Sequence, residues 1–300
     1  MADKSPNLIQ RAAARLRDSG RPSVVELAAK LIGHSGEPAS ATEPAPVSPE
    51  SADAAPPRAR SRQITIDHDR LARMGFVIPS DERSRTVEEF RIIKHQIVRQ
   101  ALHAEPSDEP CKRLVMVTSA RPAEGKTFVS INLALSIASE QEMKVLLVDC
   151  DTHRQTAAET LGIKGEKGLM DLLSDRSIDM SDVLLRTDIP GLTVLPAGTG
   201  GPHVPELLSS RRMAELLREM GNRYSDRFII FDTSPCLSSS DASTMAALMG
   251  QIVFVVGANR TQQHEVESAL GLISDCPDIN LVLNGTEAPS AGEFGSYSYY

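Results

Sequence analysis

The chain has 300 residues, with 40 acidic against 32 basic side chains and a formal net charge of −8, a balance that argues against nucleic acid or an anionic membrane as the default partner. Its four cysteines, Cys111, Cys150, Cys236 and Cys276, include no C-x-x-C pair, which suits a reducing cytosol and not a disulfide or zinc framework. No apolar run reaches the roughly 18 to 20 residues that span a bilayer, and the last 230 or so residues suffice for one sizeable core.

Residues 1–34 read as a short helical segment. Ser5-Pro6 starts one helix, with Leu8, Ile9, Ala12 and Leu16 on one face, and Ser23-Val24-Val25-Glu26 is a capping box for a second. Residues 35–63, rich in Pro, Ala, Ser and Glu and without hydrophobic period, read as a disordered linker. Residues 64–286 form the main domain. Its first helix is expected from the capping box Thr86-Val87-Glu88-Glu89, with Phe90, Ile93 and Ile97 on one side and Glu88, Arg91 and Lys94 on another.

Next comes an apolar strand at Leu114–Val117, the loop Ser119-Ala120-Arg121-Pro122-Ala123-Glu124-Gly125-Lys126-Thr127, and an amphipathic helix carrying Phe128, Ile131, Leu135 and Ile137. This is the layout of a phosphate-binding P-loop, in which backbone N–H groups and a helix N-terminus cradle an anion. Lys126 fits the phosphate-reaching lysine and Thr127 the magnesium-holding hydroxyl. The motif is degenerate, with Ala120 in place of its first glycine.

Further apolar runs at 145–148, 192–195, 228–231, 252–256 and 281–283 lack alternation, as strands buried on both faces do. With helical segments between them they predict an α/β fold: a doubly wound, mainly parallel sheet of the P-loop NTPase type. Ligands of such sheets bind at the carboxyl ends of the strands, where Asp149, Asp151 and Asp232 follow two of these runs. Carboxylates there can hold magnesium or accept the proton of an attacking hydroxyl.

Three of the four tyrosines, Tyr297, Tyr299 and Tyr300, stand in the last four positions, after a Gly-, Ser-, Ala- and Glu-rich stretch. Residues 287–300 read as a flexible tail. If the last strand is parallel, the tail leaves on the P-loop edge, and sixteen flexible residues span about 20 to 25 Å, enough to reach a neighbouring subunit's site.

Asp149-x-Asp151 after an apolar strand resembles the Walker A′ element of bacterial tyrosine kinases of capsule and exopolysaccharide synthesis, and Phe231-Asp232-Thr233-Ser234-Pro235 resembles their Walker B element. Gly168-Leu169-Met170-Asp171-Leu172-Leu173, Leu195-Pro196-Ala197-Gly198, Pro205-Glu206-Leu207-Leu208-Ser209 and Val282-Leu283-Asn284 extend the likeness over residues 84–300. The N-terminal segment is most similar to the exosortase-A-associated tyrosine autokinases. The resemblance implies ATP-dependent autophosphorylation of the tail tyrosines, with Lys126 on the phosphates, Thr127, Asp151 and Asp232 serving magnesium, and Asp149 as the base. Ala120, Arg121, Pro122, Ala123, Glu124, Gly125, Lys126, Thr127, Phe128, Arg154 and Asn284 would line the nucleotide.

The same resemblance identifies Glu88-x-x-Arg91-x-x-Lys94 with a subunit-contact motif whose final arginine is here lysine, at the loss of bidentate pairing. It implies a ring-like homo-oligomer, a separate transmembrane polysaccharide chain-length regulator as activator, a tyrosine phosphatase, and a cytoplasmic location at the inner face of the membrane through that partner. Ala123 stands where the family has glycine, Ser234 where it often has proline, and His153 where it has arginine. Two other readings compete: a partition or site-placement ATPase, whose extra lysine five residues before the main one is here Arg121, and an ATP-binding scaffold with vestigial chemistry.

Overall fold

The expected apolar runs all become strands of one eight-stranded sheet. The computed structural model describes residues 62–78, 84–103, 111–151, 157–199, 204–224 and 226–286, all within the unit Pro57–Tyr300. The two N-terminal helices, nearly all of the linker, His153, Arg154 and the tyrosine tail lie outside the described residues.

The strands are β1 (Arg62–Ile64), β2 (Leu114–Ser119), β3 (Lys144–Asp149), β4 (Leu185–Thr187), β5 (Leu192–Leu195), β6 (Arg227–Asp232), β7 (Gln251–Gly257) and β8 (Ile279–Asn284). Their order across the sheet is β1-β4-β5-β3-β6-β2-β7-β8. From β5 to β8 every neighbouring pair is parallel, and only β4 against β5 is antiparallel. Sequence periodicity missed β1 and β4, because three residues carry too little pattern to read.

The central strands are apolar throughout because both faces are covered. Leu114, Met116, Leu146, Val148, Ile229, Phe231, Ile252 and Phe254 point into one core. Val115, Val117, Val145, Leu147, Phe228, Ile230, Val253 and Val255 point into the other. The first core is closed by α5 (Leu169–Ser174), α6 (Met180–Val183), α7 (Val204–Leu208), α8 (Arg211–Arg223), α9 (Asp241–Ala246) and α10 (Gln263–Leu272). The second is closed by α1 (His68–Arg73), α2 (Arg85–Leu102), α3 (Lys126–Ala138) and α4 (Ala157–Thr160).

Two helices depart from expectation. The N-cap of α2 is Ser84 and not Thr86 of its expected box, because the Ser84 side chain accepts from the Val87 N–H. α3 is not amphipathic: eleven of its thirteen residues are buried, since it lies between the sheet and a second layer made of α2 and residues 66–78. Asn132 joins those layers, accepting from the Val77 N–H at 2.6 Å and donating to the Phe128 carbonyl at 3.0 Å. Phe76 and Phe90 pack on the Phe128 ring at 5.1 and 6.0 Å between centroids.

Candidate active site

β2 is parallel to both its neighbours, so its carboxyl end lies beside those of β6 and β7. There the chain turns through residues 119–125 into α3. Gly125, the N-cap, has φ 93°, and no side chain caps the helix. Its N-terminus is thereby left to an external anion. Ala123, where the family has glycine, holds φ 64° and takes the left-handed conformation despite its Cβ.

Lys126 opens α3 and is only 7% exposed. The next residue, Thr127, donates to Asp232 Oδ2 at 2.8 Å, and Ser130, about a turn in, donates to Oδ1 at 2.9 Å. The P-loop helix and the end of β6 are thus joined by one carboxylate. Burial pushes the Asp232 carboxyl up from 3.8 to about 6, against the two hydroxyl donors and the Lys126 charge, with Asp151 adding to the rise. Ser130 went unremarked in the sequence, although it sits three residues after Thr127 on the same helix face.

Asp149 pairs in register with Asp232 across β3 and β6. Its Oδ1 accepts the Asp151 N–H at 3.2 Å and its Oδ2 the Ala158 N–H at 2.9 Å, which ties the end of β3 to the start of α4. Asp151 is buried beside it. The cluster's charge is felt by Cys150, whose thiol is pushed well up by burial first and then by Asp149, Asp232, Asp151 and Asp241. Among the described residues, no three or more His, Cys, Asp and Glu side chains could hold a metal by themselves. One hydroxyl and one or two carboxylates beside a phosphate cradle suit magnesium, which completes its shell with phosphate oxygens and water.

Asn284 ends β8 opposite Gly257 of β7, and its side-chain amide donates to the Glu124 carbonyl at 2.9 Å. A Cβ on Gly125 would overlap that amide. The Arg260 guanidinium donates to the Ala123 carbonyl at 3.0 Å. Arg121, in the extra-lysine position, pairs with Glu265 of α10 at 3.3 Å.

The expected subunit-contact trio is divided. Glu88 and Arg91 are exposed and pair with each other at 3.3 Å. Lys94 is 4% exposed and pairs with Glu140, just beyond α3, so it does not share their solvated face. Two stretches that carry the family likeness, 168–173 and 195–198, interlock with each other. The Leu169 and Met170 N–H groups donate to the Pro196 and Ala197 carbonyls, and Asp171 accepts from Gly168 and Thr199.

Comparison with known proteins shows the family. The AAA domain family matches residues 112–267. The chain is 29% identical to the tyrosine-protein kinase YwqD of Bacillus subtilis over 74% of its own length and 91% of that protein's. It is 31% identical to the tyrosine-protein kinase CpsD of Streptococcus agalactiae over 62% of its own length and 81% of that protein's. The VpsO kinase domain superposes with a TM-score of 0.52 at 30% identity, covering 66% of this chain and 98% of that one. The chain belongs to the bacterial tyrosine-protein kinases, P-loop enzymes built on the AAA domain.

Proposed function

We propose that this kinase transfers the γ-phosphate of ATP to its own Tyr297, Tyr299 and Tyr300, between neighbouring subunits of a ring-like oligomer. The observation that carries the reading is the direction of β8. It runs parallel to β7, and its last residue, Asn284, is hydrogen-bonded to the P-loop. The chain that ends in three tyrosines therefore departs from the sheet edge that holds Lys126, Asp149, Asp151 and Asp232.

In this reading Lys126 and the N-terminus of α3 bind the phosphates, and Asp149, oriented by two backbone N–H groups, accepts the tyrosine proton. The tyrosine oxygen bonds to the γ-phosphorus as the bond to the β-phosphate oxygen breaks, releasing ADP. Magnesium would be held by Thr127, Asp232 and Asp151 and would neutralise charge on the β- and γ-phosphates. Glu88 and Arg91 supply the exposed charges of the subunit contact, and Lys94 acts within its own subunit.

Phosphorylation adds about −1.5 to −2 charges per tyrosine, which repels the tail from an acidic site and loosens the ring. The kinase thereby regulates exopolysaccharide polymerisation and export, together with a separate transmembrane chain-length regulator that holds it at the inner membrane face and a tyrosine phosphatase. Among the described residues no helix is long and apolar enough to cross a membrane. Pairing of Arg121 with Glu265 within the chain supports a kinase over a partition switch.

Incubation with γ-labelled ATP and magnesium tests this. Label on tyrosine is expected in the intact chain and absent from Lys126→Met and from a chain lacking residues 297–300. Label that survives the deletion refutes the assignment of the acceptors, and phosphate release without labelling supports the ATPase reading.

A further inference from the structure

The side chain of Glu124 lies inside the P-loop, yet it is aimed away from the phosphate cradle. It is 4% exposed, a costly place for a carboxylate unless its oxygens are occupied. They are. Oε2 accepts the Arg121 N–H at 2.6 Å, from the first turn of the loop. Oε1 accepts the Gly257 N–H at 3.3 Å, from the end of β7, and the Thr261 hydroxyl, from the turn that leads into α10. Thr261 in turn accepts from Gly257 at 3.2 Å. One carboxylate thus ties both ends of the loop's central segment to a strand end behind it.

We propose that Glu124 is a positioning residue for ATP: its carboxylate, braced by Thr261 and Gly257, holds the loop in its phosphate-receiving shape. Three features support this. The loop lacks the first glycine of its motif and carries Ala123 at φ 64°, so its conformation is not the one its own residues favour. The left-handed residue Ala123 lies between the two residues that the side chain connects, Arg121 and Glu124 itself. Its three partners, the Arg121 and Gly257 N–H groups and the Thr261 hydroxyl, all donate to it, two from outside the loop.

The inference goes beyond the kinase assignment, and its readout is nucleotide binding, so it stands or falls separately from tyrosine labelling. In the full chain, Glu124→Ala takes this acceptor from the Arg121 N–H and the Thr261 hydroxyl and leaves Gly257 only its bond to Thr261, and is expected to raise the Kd for magnesium–ATP about tenfold or more. Glu124→Gln can keep the Arg121 bond and donate to Thr261, and should recover most of that loss. Thr261→Val alters a residue on the far side of the brace and should weaken ATP binding in the same direction, less strongly. Combined with Glu124→Ala it should add little. At saturating ATP the turnover of each folded variant should return toward wild type, so KM moves and kcat does not. Wild-type ATP affinity in a folded Glu124→Ala chain overturns the proposal. Should that variant fail to fold, wild-type affinity in Thr261→Val overturns it instead.

Discussion

Replacing Asp232 by Asn keeps the shape of the side chain that joins α3 to β6 and removes its charge. Burial places the Asp232 carboxyl at about 6 in the folded chain against an ordinary 3.8. At 1.36 kcal/mol per pH unit, that gap makes the ionised form cost about 3 kcal/mol of folding stability once both states are deprotonated. Because the folded-state value is the higher one, the stabilising effect of the proton is complete below about pH 3.8 and is lost as pH rises through about 6. Between pH 5 and pH 8 the loss amounts to about 1.4 kcal/mol. The variant does not titrate there, and the Thr127 and Ser130 hydroxyls can rotate to accept as well as donate. Its stability relative to wild type should therefore rise by that amount over the interval, in urea unfolding without nucleotide and with a chelator present. The same variant should lose phosphotransfer and the extra stabilisation that magnesium gives over ATP alone. A difference between variant and wild type that stays constant from pH 5 to pH 8 would refute the argument that burial governs this carboxylate.

Ala123→Gly relieves a left-handed residue at φ 64°, a gain of about 1 to 2 kcal/mol set against about 0.5 to 1 kcal/mol of glycine entropy. Thermal unfolding should show Tm raised by about 2 to 4 °C; a lower Tm would mean that the methyl group packs usefully. Gly168→Ala puts a Cβ onto the Pro196 carbonyl, with the Gly198 N–H at 2.6 Å, and both are backbone atoms that cannot swing aside. We expect at least about 3 kcal/mol of destabilisation, read as a lower urea midpoint or loss of soluble protein.

Legibility followed range along the chain. Six strands could be read because a continuous apolar run is a local signal: β2, β3, β5, β6 and β7 are covered on both faces, whereas β8 carries the same run at the edge of the sheet, where Leu281 and Leu283 stay exposed. The P-loop and the strand-end aspartates could be read for a similar reason: a parallel sheet puts the carboxyl ends of its strands on one edge, and the strand order then makes Asp149 and Asp232 neighbours. What remained hidden depended on partners distant in sequence. β1 needs β4 more than 120 residues later. Gly168-Leu169-Met170-Asp171 means little until the 196–199 turn lies against it. Lys94 has helical spacing to Glu88 and Arg91, yet a pairing with Glu140 draws it inside, because α2 packs on α3 and leaves that position under the second layer. Glu124 reads as one more loop residue until the end of β7 presents it with donors. The sequence by itself determined which residues could bind a phosphate, since that chemistry sits in one short segment. Tertiary structure alone decided what holds the segment in shape, since a buried charge is settled by whichever donors the fold brings to it.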